Sequence, residues 1–252
     1  MKGKSEKILN LILPTVTVLA IILIWAVSAK TIDSEYILPS VSNTAQEFFA
    51  LLKSAEFYRS FAFTLLRSLI SFVFSFSLAF IFAILSVKVK YFKKIIMPLI
   101  SIMRALPTIA VVLLLLFWTN SKIAPIIVTM LVVLPTTYTH IESAFFALDK
   151  TVLEAGRVDG ANEKNVFLKI ELPQILPSIY SAVGSGISLN FKLMVAAEVI
   201  SQTANSLGYM LNTSKVYFEI ANMLAIVCFA VIFGLIVEIV FSRLSKKSSA
   251  WK

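Results

Sequence analysis

The sequence predicts an all-α, polytopic membrane protein with about six transmembrane helices. Of its 252 residues, 58% are hydrophobic and only 15% are charged, and the mean hydropathy is +0.88. A soluble domain of this size needs more polar residues to cover its surface. Several apolar runs of about 20 residues are long enough to cross a bilayer as helices. These observations favour a membrane protein over a soluble enzyme or binding module.

The composition also limits the kinds of site that the chain can form. It has one cysteine, Cys228, and one histidine, His140. A single cysteine excludes an internal disulfide framework, and a single histidine excludes a two-histidine metal motif, so we expect no metal site. The net charge of +9 is typical of basic residues on the cytoplasmic side of membrane segments, and we expect no nucleic-acid partner.

Six spans can be placed along one transmembrane domain that covers residues 1–252. The first follows a basic start, but its apolar run is too long for a signal peptide, so an uncleaved span is favoured. Between the first two spans, the residues after Ser40 predict a short helix on the outer surface. The six spans cover about residues 8–28, 61–87, 95–118, 123–143, 175–200 and 220–241.

The distribution of Lys and Arg predicts that both termini are cytoplasmic. In this orientation five basic residues are on the outer side, namely Lys30, Lys53, Arg59, Lys122 and Lys215. The inner side has 15 of the 23: Lys2, Lys4, Lys7, Lys88, Lys90, Lys93, Lys94, Lys150, Arg157, Lys164, Lys169, Arg243, Lys246, Lys247 and Lys252. The segment between the fourth and fifth spans, residues 148–173, is therefore expected in the cytoplasm.

This cytoplasmic segment has the pattern of a helical hairpin. Apolar residues recur at helical spacing from Leu148 to Val158 and form one face of a short amphipathic helix. Gly160 is suited to end that helix, and Asn162 is a suitable N-cap for a second short helix that Pro173 ends. Such a hairpin is either a docking surface for a partner or a solvated loop that lies on the lipid headgroups.

The hairpin sequence "EAGRVDGANEKNVFLKIELP" resembles the Glu-Ala-Ala motif of binding-protein-dependent ABC transporter permeases. In that motif a glycine follows Glu-Ala-Ala, and Ile-x-Leu-Pro comes after nine more residues. The residues that carry the resemblance are Glu154, Ala155, Gly160, Ile170, Leu172 and Pro173, with Asp159 and Ala161 beside the glycine. Gly156 stands where the family has its second alanine.

Other segments are similar to the nitrate, sulfonate and taurine branch of these permeases. They are "LPS" at 38–40, "TLLRS" at 64–68, "MPLISIMRALPTIA" at 97–110, "AAEVI" at 196–200 and "SLGYML" at 206–211. The resemblance implies a type I ABC importer permease fold in a bacterial cytoplasmic membrane. It implies a small polar or anionic solute, either nitrate-, sulfonate- or taurine-like or a heteroaromatic compound.

The resemblance also implies partners. The hairpin would couple the chain to two copies of a cytoplasmic ATPase, beside a second permease copy and an extracytoplasmic solute-binding protein. The chain lacks the G-x-x-x-x-G-K-[ST] phosphate loop, so ATP and Mg²⁺ are expected in the ATPase partner and no cofactor in this chain. We expect no enzymatic activity. A self-contained secondary transporter or channel is the alternative, although no internal repeat is visible; an intramembrane enzyme is disfavoured by the lack of paired catalytic residues.

Charged residues inside spans are costly and point to function or to pairing. Arg104 and Pro107, three residues apart, are candidates for the translocation path, with Arg104 in contact with an anionic solute. The alternative is a structural pair between Arg104 and Glu198. Lys192 and Glu198 are further path candidates, although Glu198 is equally suited to cap an outer loop.

Three further features have simple structural interpretations. Arg67 is expected to extend outward to the membrane surface. The Phe-rich stretch 71–82 is expected to face lipid. Small residues in the fifth span predict close helix approach along a dimer or gate interface, and they are Ser181, Gly184, Gly186 and Ser188.

Overall fold

The computed structural model describes residues 2–249, and the side chains of residues 12–248 other than 150 and 157. The predicted inner-side charges of Lys2, Lys4, Lys7, Lys150, Arg157 and Lys252, and the start of the first predicted span, lie outside the described side chains. Across residues 2–249 every regular element is a helix. In chain order they are α1 (Lys2–Ile32), α2 (Val41–Leu51), α3 (Ala55–Lys88), α4 (Phe92–Ala105), α5 (Thr108–Trp118), α6 (Ala124–Phe146), α7 (Lys150–Val158), α8 (Glu163–Val166), a π-helical turn (Phe167–Glu171), α9 (Leu172–Ser201), α10 (Leu207–Val216) and α11 (Ile220–Ser249).

The helices form two compact units. The first comprises the chain up to Tyr58 together with Met210–Phe229, and the second comprises Arg59–Tyr209 together with the residues from Ala230 onward. Five helical segments are long and apolar enough to cross a membrane, namely 12–32, 55–88, 124–146, 163–201 and 220–248. The chain is thus an all-α protein with several membrane-spanning helices, as the sequence predicts.

The predicted third span, residues 95–118, is not one straight helix. Helices α4 and α5 meet at an angle of 96°. The break lies at Leu106 and Pro107, whose backbones are extended, with ψ of 124° and 111°. A residue before proline is disfavoured in the helical region, which explains why α4 ends there. With 14 and 11 residues, each half is only about 21 or 17 Å long, too short to cross the hydrocarbon alone.

In the first unit, the turn after α1 prepares the start of α2. The indole N–H of Trp25 in α1 donates to the carbonyl of Pro39 at 3.0 Å. The Ser40 hydroxyl accepts from the backbone N–H of Asn43 at 3.2 Å and caps α2, so the predicted helix start is confirmed. The Glu35 carboxylate accepts from the Asn43 side chain and from the Ser40 N–H, and these bonds lower the pKa of Glu35.

In the second unit, α6 and α9 are the helices that pack most closely. Around their inner halves lies an apolar core to which α3 and α4 also contribute. Its buried members are Ala79, Ala83, Ile96, Ile100, Met103, Leu134, Tyr138, Ile141, Phe145, Ile175 and Ile179. Burial of this kind fixes the inner end of α9, from which the charged hairpin extends.

A row of hydroxyl groups on α3 forms a polar seam with α6 and α9. Ser68 donates to the side-chain carbonyl of Asn190 at 3.0 Å, and the Asn190 amide donates to Ser71 at 3.2 Å. Ser71 also shares a 2.7 Å hydrogen bond with Thr129, and Ser75 donates to the carbonyl of Met130. In an apolar surrounding each of these groups needs an internal partner, so the seam specifies how the three helices pair.

The expectation that the Phe-rich stretch 71–82 faces lipid is wrong for half of it. Phe72 is only 5% exposed, and its ring begins an inward row with Phe76 and Phe80 at centroid distances of 5.8 and 6.0 Å. Val73 and Phe74, on the opposite side of the helix, are more than half exposed. The buried serines in this stretch lie on the face of α3 that packs against the rest of the protein.

The small residues of α9 make room for large ones. A Cβ on Gly186 would lie 2.7 Å from the Phe72 ring, and one on Gly184 would lie 2.5 Å from the Cβ of Phe241. Close packing at these glycines is therefore found, and it occurs within the chain, between α9 and the helices α3 and α11.

We expect Asn190→Leu to lower the free energy of unfolding by about 1–3 kcal/mol, because Ser68 loses its acceptor in a buried position. Thermal unfolding of the purified protein in detergent measures this loss. The double variant Ser68→Ala/Asn190→Leu is the matched control, since removal of both partners is nearly neutral. If the loss in the double variant equals the sum of the losses caused by Asn190→Leu and Ser68→Ala alone, the two side chains are not coupled.

Candidate functional site

The charged hairpin, defined here as residues Lys150–Glu171, consists of α7, a glycine turn, α8 and the π-helical turn. Gly160 has φ of +82°, and nothing lies within 4 Å of the position of a Cβ, so glycine serves the backbone conformation rather than close packing. The Asn162 side chain caps α8 by accepting from the Asn165 N–H at 2.8 Å. Both features follow the sequence pattern.

The sequence predicts that the second helix of the hairpin ends at Pro173. In the structure the helix continues beyond this residue. Glu163–Ser201 is one continuous helical segment. The turn Phe167–Glu171 is π-helical, with the Leu172 N–H bonded to the Phe167 carbonyl. Pro173 lies at the second position of α9, directly after the π-helical turn, and the wider turn there accommodates the proline ring without ending the helix.

The tip of the hairpin is exposed and its base is buried. Val158 and Val152 are 86% and 44% exposed, which leaves the apolar face of α7 without cover in this chain. Val166, by contrast, is fully buried, and the Phe167 ring stacks on Phe145 at 6.5 Å. Glu154, Ala155, Asp159 and Gly160 are exposed, Gly156 and Ala161 partly so.

Two motif residues that are 14 positions apart touch each other. The Ile170 side chain occupies the space where a Cβ of Gly156 would lie. Only the flexible end of Ile170 would have to move for an alanine, whereas a larger side chain would separate α7 from the π-helical turn. Leu172 is half-buried beside this contact and Pro173 is exposed.

One ion pair holds the base of the hairpin to α3, and a second joins α4 to α6 next to it. Lys88 reaches the carboxylate of Glu171 at 2.8 Å, and Glu171 is 4% exposed. Lys93 lies 3.2 Å from Glu142, which also accepts from Tyr138 at 2.7 Å. Buried acids of this kind are stable only when paired, so the first contact fixes the base of the hairpin to the end of α3 and the second fixes α4 to α6.

Arg104 does not pair with Glu198. Its guanidinium donates to the Thr139 hydroxyl at 2.7 Å and to the Pro135 carbonyl at 3.3 Å. Arg104 itself is exposed, and among the described residues no carboxylate lies within ion-pair distance of it. The break between α4 and α5 at Pro107 is three residues further along the chain. A cation with free hydrogen-bonding capacity therefore lies beside an interrupted helix.

Glu198 pairs with Arg67, whose predicted outward extension is therefore wrong. The two side chains are 2.7 Å apart, and Arg67 is 11% and Glu198 0% exposed. Glu198 also accepts from Thr64 at 2.8 Å and from the backbone N–H of Gly208 at 3.4 Å, while Arg67 donates to the carbonyl of Asn205. Together they hold the turn between α9 and α10, so Glu198 caps this loop, and it shares no hydrogen-bond partner with Arg104.

Lys192 lies on a different face of α9, beside Glu238 of α11 at 3.9 Å. Both side chains are about half exposed. They border a cavity of about 240 Å³ that Thr136, His140 and Ser185 also line. His140 is exposed there.

These groups form a polar face on the second unit, carried by α6, α9 and α11, which are long enough to span a membrane, and by α4 of the bent pair. We define the polar face as Arg104, Thr139, His140, Ser185, Lys192 and Glu238. Of the four path candidates, Arg104 and Lys192 lie on it, Pro107 follows Arg104 at the helix break, and Glu198 is buried elsewhere. The polar seam and Arg67 were missed by sequence reasoning, although Thr64, Ser68, Ser71 and Ser75 recur at the helical spacing that predicts one face.

The comparisons with known proteins agree on the family. Residues 75–249, more than half of the chain, match the family described as "binding-protein-dependent transport system inner membrane component". A probable ABC transporter permease of Brucella abortus is 23% identical over 88% of this chain and 89% of its own. A putative aliphatic sulfonates transport permease of Bacillus subtilis is 23% identical over 96% and 87%. Among solved structures, the inward-facing MetNI methionine ABC transporter has a TM-score of 0.67 at 17% identity, over 76% of this chain and 95% of that one.

We expect Arg67→Met and Glu198→Gln each to lower the free energy of unfolding by about 3–5 kcal/mol, because each strands a buried partner. The double variant should lose clearly less than the sum, and unfolding in detergent measures all three. Lys192→Met is the control on the same helix, since its half-exposed partner at 3.9 Å is left in contact with solvent and little stability should be lost. Strict additivity would show that the pair contributes no coupling.

The family match covers the hairpin, the polar face and the core that carries both, and the solved relatives share the fold. The chain belongs to the family of binding-protein-dependent transport system inner membrane components and is a multi-pass permease subunit of an ABC importer.

Proposed function

We propose that this permease forms the translocation path for a small polar or anionic organic solute, and that cytoplasmic ATPases drive it through the charged hairpin. The observation that carries the proposal is the polar face. Exposed Lys, Glu and His side chains on helices of membrane-spanning length, and the exposed Arg104 in the bent pair α4–α5, do not face lipid, because charged groups in hydrocarbon are strongly unfavourable. They line a water-filled path or meet another protein surface.

The charge of the polar face favours an anion. Arg104 has hydroxyl and carbonyl partners but no carboxylate partner among the described residues. A guanidinium with donors to spare is well suited to bind a carboxylate, sulfonate or phosphate group. The sulfonate permease of Bacillus subtilis, 23% identical, supports the same class of solute.

The hairpin is suited to transmit force from an ATPase. Its exposed apolar face offers a docking surface, and its base is held by the Glu171 and Phe167 contacts. A tip that binds a partner and a base that cannot slide would pass the partner's motion into α9. In this proposal ATP and Mg²⁺ are bound by two ATPase copies, and this chain binds no cofactor.

The basic residues support a cytoplasmic position for the hairpin and both termini. If the bent pair α4–α5 did not cross the membrane, Lys88–Lys94 and Lys150–Lys169 would lie on opposite sides. The excess of Lys and Arg on inner loops is retained only if the bent pair crosses. We therefore infer six crossings in a bacterial cytoplasmic membrane, with α2 and the turn before it on the outer side, where a solute-binding protein docks.

A second copy of the permease is proposed as the partner that completes the path. One hairpin per chain serves one ATPase, so two ATPases require two permease subunits. A path between two copies would enclose the polar face of each. A self-contained secondary transporter would instead carry its path within one chain and need no hairpin partner.

We expect Val158→Asp to reduce co-purification of the ATPase at least tenfold, because it places a charge in the apolar face that would be buried on docking. Co-expression with the ATPase subunits and pull-down from detergent measures this. Val89→Asp is the matched control, since Val89 is 47% exposed in the turn before α4 and lies outside the hairpin.

The proposal as a whole is tested in proteoliposomes with the ATPase and binding protein. Solute uptake should require ATP, and Val158→Asp should abolish it while membrane insertion is unchanged. Uptake that continues without any ATPase would favour the secondary transporter, and normal ATPase binding by Val158→Asp would remove the hairpin from the docking surface.

A further inference from the structure

The cavity between α6, α9 and α11 contains an ion pair that differs from every other one described. Lys192 and Glu238 are 3.9 Å apart and 53% and 44% exposed. The structural pairs Arg67–Glu198 and Lys88–Glu171 are 2.7 and 2.8 Å apart, and their acids are almost fully buried. A pair that only joined helices inside a membrane would be short and buried in the same way, because both charges need full compensation there.

The side chain of Lys192 has room beside α11 because residue 234 is a glycine. Gly234 lies on α11 one helical turn before Glu238, and a Cβ there would lie 3.3 Å from Cε of Lys192. The absence of a side chain at 234 leaves room for the lysine stem to cross α11 towards Glu238. The ammonium and the carboxylate are thereby held side by side at the edge of the cavity, with one of their faces free.

The rest of the cavity supplies hydrogen-bonding groups and limits size. Thr136, His140 and Ser185 line it beside the ion pair. Its volume of about 240 Å³ is roughly that of eight waters in the liquid, at about 30 Å³ each. A solute of this size is a small molecule with one or two charged groups.

We propose that this cavity is a solute station on the path, and that the Lys192–Glu238 pair selects a small zwitterion, with an anionic and a cationic group a few bonds apart. The proposal rests on the proposed function, since it places the cavity on the translocation path. The anionic group of a zwitterion can pair with Lys192 while its cationic group pairs with Glu238. These contacts replace the long, half-exposed Lys192–Glu238 pair, which contributes little to stability.

Solutes with a single charge are disfavoured by the same arrangement. A simple anion that approaches Lys192 is repelled by Glu238 at nearly the same distance. A simple cation that approaches Glu238 is repelled by Lys192 in the same way. Selectivity of this kind comes from the repulsive group as much as from the attractive one. Glu238 is therefore the specificity-determining residue, and its neutralisation should convert the station into a general anion site.

The test uses the full chain in lipid nanodiscs with one introduced cysteine. Cys228 is the only native cysteine, so Cys228→Ser/Ser185→Cys places a single thiol in the cavity. A small, water-soluble thiol reagent labels it, and three probes of similar length compete: 3-aminopropane-1-sulfonate, butane-1-sulfonate and butylammonium. The zwitterionic sulfonate should slow labelling at least fivefold more than either singly charged probe at equal concentration.

Variants of Lys192 and Glu238 test whether this ion pair causes the preference for the zwitterionic probe. In the same background Glu238→Gln should raise protection by butane-1-sulfonate at least fivefold, to the level of the zwitterion. The exchange Lys192→Glu/Glu238→Lys keeps both charges and should retain the preference for the zwitterion. Lys247→Gln, an exposed charge on α11, is the control and should change nothing.

The outcomes separate the two proposals. A thiol at 185 that the aqueous reagent cannot reach would overturn both the path and the station. Labelling that the zwitterion and the anion slow equally, or that no probe slows, would overturn the station and leave the path in place. An unchanged probe ratio in Glu238→Gln would likewise overturn the role of the pair.

Discussion

The second unit is organised by the need to pair every polar group that lies away from water. Ser68, Ser71 and Asn190 do this between α3 and α9, and Arg67 with Glu198 do it at the end of the same seam. Apolar contacts alone discriminate poorly between helix pairings in a membrane, where lipid tails are as apolar as leucine. Hydrogen bonds between identified side chains fix which helices meet and at what rotation, and the apolar core fills in around them.

The same requirement explains where the chain is irregular. The α4–α5 break has its flanking cation, Arg104, bonded to a carbonyl and a hydroxyl. The outer turn after α9, with left-handed Gln202 and Asn205, is tied to Glu198 and Arg67. Irregular backbone at membrane depth is tolerated only where protein or water satisfies it. Both irregular segments are therefore held by hydrogen bonds within the protein, and Arg104, beside the first of them, lies on the polar face.

Sequence reasoning predicts the helices, the glycine turn and the family well, because each depends on local signals such as Gly160, Asn162 and long apolar runs. It fails where a partner is distant in sequence. The partner of Arg67 is 131 positions away, and burial rather than composition brings them together. The prediction for Pro173 fails for a local reason, since the preceding π-helical turn is wider and accommodates the proline ring that would disrupt a regular α-helix.

One helix connects the features that the proposed mechanism needs. The continuous segment Glu163–Ser201 has 39 residues and is about 59 Å long at 1.5 Å per residue. It begins inside the hairpin, carries Lys192 on the polar face and ends beside Glu198 at the outer turn. The π-helical turn is its one irregular point, at the junction with the hairpin, where such turns often occur at functional sites. If an ATPase moves the hairpin tip, the Lys88–Glu171 pair makes that turn the pivot, and α9 carries the displacement past the solute station.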